Sequence, residues 1–98
     1  MKQMNVPEKI KVAIDFDDRS LTEAVRTLQP LVFKDGKTYC CVLGPNRLTG
    51  IFGCGPSIEA ALEEWEASMR KRIIYPQAND AVVTFVQDKL NASKKQVG

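Results

Sequence analysis

Histidine is absent from this sequence of 98 residues, and aromatic residues make up only 7% of it. Without an imidazole there is no histidine base, no nucleophile triad built on one and no histidine ligand for zinc, which closes the common routes to hydrolytic and metal catalysis. Cysteine is scarce as well. Cys40, Cys41 and Cys54 form an odd set with no CxxC spacing, one ligand short of a structural zinc site. Their expected role is as small core-filling residues with reduced thiols, which goes with a cytoplasmic location. The competing reading, a thiol enzyme, requires that one of them be accessible and of low pKa. Charge of one sign is also lacking, since 14 Lys and Arg against 12 Asp and Glu leave a net +2. That balance does not announce nucleic acid or an acidic membrane as partner. No apolar run reaches the length of a membrane span, and Met1 to Lys9 lacks the apolar stretch of a secretory signal. The residues call for no cofactor and no metal. What is present, 44% hydrophobic and 27% charged residues, suits one soluble globular domain over residues 1–98, with an ordered core over 9–90 and a frayed polar tail over 91–98.

Hydropathy patterning places the elements. Ile10, Val12, Ile14 and Phe16 alternate with Lys11, Ala13 and Asp15, a period of two that predicts a half-buried strand. Ser20 and Glu23 have the spacing of a capping box ahead of Leu21, Ala24, Val25 and Leu28, so a short helix follows and stops before Pro30. Leu31-Val32-Phe33 and Thr38 to Leu43 flank Asp35-Gly36, a hairpin signal, and Leu48 to Phe52 returns as a third strand. Ser57 caps a long helix whose stripe is Ile58, Ala61, Leu62, Trp65, Met69 and Ile73. Residues 80–91 have two readings, a helix with Val82, Phe85, Val86 and Leu90 on one side or a β-branched strand. The expected fold is therefore α+β, a three- to four-stranded antiparallel sheet packed by helices in the order β-α-β-β-β-α plus a C-terminal helix or strand.

Several constellations have a chemical reading beside a structural one. Gly53-Cys54-Gly55-Pro56-Ser57 precedes a helix, where free N–H groups receive anions, yet it lacks the lysine of a P-loop and the third glycine of a dinucleotide fingerprint. A tight strand-to-helix turn accounts for it. Asp15, Asp17 and Asp18 have the oxygens a hard cation prefers, but strand alternation spreads them along a solvated strand end. Arg70, Lys71 and Arg72, with Lys94 and Lys95 of the tail, are the candidate contacts for RNA or DNA, while at a helix C-terminus the first three also complement the dipole. Trp65 is either a stacking platform or a core anchor, and its place between Leu62 and Met69 favours the core. Glu59, Glu63 and Glu66 make an acidic helix face, the candidate surface for a protein partner.

A hairpin, a third strand, a Gly turn and then Ser57-Ile58-Glu59-Ala60-Ala61-Leu62-Glu63-Glu64-Trp65 resembles the HicB-like antitoxin family. Gly55, Ser57, Ala61 and Leu62 match its pattern over about residues 31–73, whereas Pro56 replaces an acidic or polar residue and Ala60 the usual glutamate. The resemblance implies a core similar to the double-stranded-RNA-binding domain and often a homodimer. It also implies binding to a small basic RNA-cleaving toxin, here through Glu59, Glu63 and Glu66. Many members carry a separate DNA-binding domain, for which the residues after Pro76 are too few. The same element order resembles the double-stranded-RNA-binding domain itself, but Ser57-Ile58-Glu59 stands where that domain places phosphate-holding basic residues.

Overall fold

A computed structural model of the chain describes residues 2–95, with side chains through residue 92. Its elements are α1 (Glu23–Leu28), β1 (Leu31–Asp35), β2 (Thr38–Leu43), β3 (Ile51–Gly55), α2 (Ile58–Ile74) and α3 (Ala81–Lys95). The fold is α+β, with one antiparallel sheet in the order β1-β2-β3 packed against helices. Period-two burial divides the strand residues between two faces. Val32, Cys41, Leu43 and Ile51 point to the helices and join Leu62, Trp65, Met69, Val82 and Val86 in the main core. Phe33, Cys40 and Val42 point the other way, under Val6 and the half-buried Met4 and Ile10 of the N-terminal segment.

The hairpin follows its sequence signal, with Asp35 paired to Thr38 and Gly36 at φ +63°, a backbone state that glycine adopts without a Cβ clash. α2 lies directly on β3. A Cβ on Gly53 would sit 2.7 Å from the Glu64 carbonyl carbon and the Trp65 Cα, so the bare glycine is what lets helix and strand backbones meet. Residues 80–91 resolve as helix, since Val82, Val83 and Val86 are all buried and share one side of α3.

Four expectations are corrected. Residues 10–16 keep their alternating exposure, but the strand reduces to one bridge, Lys11 opposite Phe33, and one bond from Val12 N to Val32 O. A 3-10 turn at Glu8–Ile10 takes the Ile10 and Lys11 N–H groups for Pro7 O and Glu8 O, and past residue 16 the Asp15 and Asp18 side chains, accepting from Asp17 N and Ser20 N, turn the chain away. The α1 cap is Thr22, whose hydroxyl accepts from Val25 N, and not Ser20. The third strand begins at Ile51, because Asn46 Oδ1 accepts from Leu48 N and Thr49 N and folds those residues into a turn. α3 continues to Lys95 past the expected frayed start at Asn91, with no Gly or Pro there to stop it; residues 96–98 of that tail lie outside the described residues.

Candidate docking cleft on helix α2

Ser57 Oγ accepts from Ala60 N and fixes the start of α2, so Glu59, Glu63, Glu66 and Arg70 project at spacings of three and four toward the 13–22 segment. Between that segment and the helix lies a cleft of about 790 Å³. Ile14, Leu21, Val25, Ile58 and Leu62 give it an apolar floor, and Asp15, Asp18, Glu59, Glu63 and Glu66 bring five carboxylates against one guanidinium, Arg70. Backbone and hydroxyl hydrogen bonds from Ser20 hold the Asp18 carboxyl below its ordinary value, which favours its charged form. Asp15, Asp18, Glu59 and Glu63 are exposed.

Glu66 departs from the expected open acidic face. It is 7% exposed, and its carboxylate is fully engaged, accepting from the Thr22 hydroxyl on one oxygen and from Arg70 on the other. Thr22 at the same time caps α1, so a single carboxylate ties the start of α1 to the middle of α2. Glu66 belongs to the wall of the cleft; of the three α2 carboxylates lining it, Glu59 and Glu63 are the exposed ones. The i, i+7 spacing of Glu59 and Glu66 could not distinguish them, because what buries Glu66 is the arrival of Thr22 from 44 residues away.

Two of the three basic residues at the end of α2 are held in ion pairs. Arg70 is paired to Glu66. Arg72 donates from Nε to Asp80 Oδ2 at 2.6 Å and from Nη2 to Asp80 Oδ1 at 3.2 Å, and it also reaches the carbonyls of Thr49 and Gly50. Asp80 in turn accepts from Gln77 N and Val83 N and so starts α3. Its desolvation raises the carboxyl pKa, but the hydrogen bonds from Arg72, Gln77 and Val83, with the Arg72 charge, outweigh it and hold the group below its ordinary value. Lys71 alone of the helix-end run is exposed with no ion pair among the described residues. The side chains of Lys94 and Lys95 lie outside those described.

Trp65 is fully buried in the core, with its indole N–H unpartnered, and is no stacking platform. The cysteines are corrected in part. Cys40 and Cys54 face each other across β2 and β3 and form a disulfide, while Cys41, on the other face, is free and buried. The inference from reduced thiols to a cytoplasmic location thereby loses its premise. Burial pushes the Cys41 thiol far above its ordinary value, opposite to what a nucleophile requires. Among the described residues no group of three His, Cys, Asp or Glu converges as a metal site, and no helix is long and apolar enough to cross a membrane. No family model, no curated protein and no solved structure matches the chain.

Proposed function

We propose that this protein is a non-catalytic binding module that docks a basic protein partner in the cleft between the 13–22 segment and α2, the kind of role its resemblance to HicB-like antitoxins implies. The observation that carries the reading is the pairing of an apolar floor with four exposed carboxylates, Asp15, Asp18, Glu59 and Glu63, on one concave surface. A floor of that kind gives affinity by burial, while the like-signed rim selects cationic partners and accelerates their approach. Glu66 and Arg70 hold the wall without adding free charge to it.

The probe is a synthetic amphipathic peptide of leucine and lysine, titrated by calorimetry at two salt concentrations. The double reversal Glu59→Lys with Glu63→Lys is expected to weaken binding at least about tenfold, as like charges then meet across the cleft. Reversal of Glu64, an exposed carboxylate outside the cleft, is the control and leaves affinity close to that of the parent. Equal loss in both variants would mean that the peptide follows overall charge, and the cleft reading would fail.

A further inference from the structure

Among the described residues β3 has a neighbour on one side only. The pairing geometry identifies which of its backbone groups are left over. Cys40 and Cys54 stand directly opposite with their Cα atoms 4.1 Å apart, the close spacing of a non-hydrogen-bonded antiparallel pair. Cys54, and Phe52 two positions earlier, therefore turn their N–H and C=O groups away from β2. No backbone hydrogen bond among the described residues takes them up outside the sheet.

An open edge of this kind is ordinarily guarded by charge, proline or a covering segment. The β1 edge has such a cover, since Val12 N donates to Val32 O and Lys11 bridges Phe33. β3 reads Ile51-Phe52-Gly53-Cys54-Gly55, without a charge or a proline, and the disulfide to Cys40 holds it in place. A groove of about 410 Å³ borders Phe52 along the flank of α2, and Tyr75 in its lining is 75% exposed. Its charged lining residues are Arg47, Lys71 and Arg72, with no carboxylate. Arg72 is consumed by Asp80, so Lys71 and Arg47 remain, the latter stacked 4.9 Å from the Phe52 ring and in an exposed pair with Asp35.

A single extended segment suits this edge better than a second copy of the chain. Because α2 rests on the backbone of Gly53, pairing β3 with β3 would bring two α2 helices to about the strand spacing of ~4.8 Å, well inside the ~8–10 Å that packed helices need. A single extended segment brings no such helix. We propose that the free edge of β3 accepts an extended acidic segment of another polypeptide as a fourth strand, with its backbone on Phe52 and Cys54, its carboxylates on the α2 side near Lys71, and its alternate, apolar side chains on the other face against Phe52.

The probe is a synthetic peptide of alternating valine and glutamate, compared with its valine and lysine counterpart. Amide hydrogen exchange is read residue by residue by NMR on the oxidised full chain. In the free protein the Phe52 and Cys54 amides exchange as unprotected groups, and the acidic peptide slows them at least about tenfold. Lys71→Glu, at an exposed position, weakens that effect roughly fivefold. Protection of these amides already in the free protein, equal slowing by the lysine peptide, or indifference to Lys71→Glu would each overturn the proposal. The cleft on the far side of α2 takes the opposite charge, so failure there is read separately.

Discussion

The two halves of α2 carry opposite charge and use it differently. Toward the N-terminus, Glu59 and Glu63 reach into an open cleft and form no ion pair among the described residues. Toward the C-terminus, Arg72 is enclosed by Asp80 and two backbone carbonyls, with 14% of its side chain and 3% of that of Asp80 exposed. Glu66 and Arg70 stand between these extremes, a buried carboxylate answered by a largely exposed guanidinium. The lesson is that a charge is available to a partner only where the fold has not already answered it. A buried charge must be paired, because desolvation is expensive, whereas an exposed one is solvated by water.

The enclosed end is where this comparison breaks most visibly. Arg72→Met leaves the Asp80 carboxylate buried with only two backbone donors and two β2–β3 turn carbonyls without their partner, an expected loss of about 3 kcal/mol in urea denaturation. A pH dependence accompanies it. The folded pKa of Asp80 is depressed, so its contribution is present above the unfolded value near ~3.9 and lost as pH falls toward the folded one. The parent should lose stability below about pH 4, and the Arg72→Met variant should lose less in that window because the guanidinium that lowers the pKa is gone. Identical pH profiles for the two proteins would place the acid sensitivity elsewhere.

This division also marks what could be read from sequence. Strand and helix positions of β1, β2 and α2 follow from patterns within the segment: period two, Asp-Gly, and a stripe anchored by Trp65 behind Ser57. Glu59 and Glu63 were legible as candidates for the same reason, since their exposure depends on the helix phase alone. Glu66 and Arg72 were not, because their states are set by Thr22, Asp80 and the 49–50 turn, residues brought in by tertiary structure. The Asp15 and Asp18 side of the cleft was likewise invisible until the 13–22 segment packed against α2. The disulfide was hidden behind register: Cys54 meets Cys40 because β3 runs on to Gly55, and a strand over 48–52 leaves Cys54 outside the sheet.

At the middle of the helix the expected effects are smaller. Glu66→Ala removes the acceptor of the Thr22 hydroxyl and the partner of Arg70, for a loss of about 2 kcal/mol, most of it from the buried hydrogen bond because the guanidinium remains in water. Thr22→Val removes the α1 cap together with the same bond, about 1–2 kcal/mol. A double-mutant cycle joins the two. If one shared hydrogen bond is responsible, the double variant is destabilised by clearly less than the sum, and full additivity in denaturant midpoints would separate the cap from the carboxylate.

The smallest effect belongs to the open end. Glu59 lies in the first turn of α2, where a negative charge meets the helix dipole, so Glu59→Gln should cost at most about 0.5 kcal/mol. Glu63 sits a turn further on, beyond that favourable field, and shares the cleft with the exposed carboxylates of Asp15, Asp18 and Glu59. Repulsion among them makes Glu63→Gln neutral or slightly stabilising, by up to about 0.5 kcal/mol at low salt. Salt decides the cause: the gain should fade as ionic strength approaches physiological values, where the screening length falls to about 8 Å. A gain indifferent to salt would point to helix propensity or packing. A clear loss would show that Glu63 is answered by the fold after all, and that the two ends of α2 differ less than their exposure suggests.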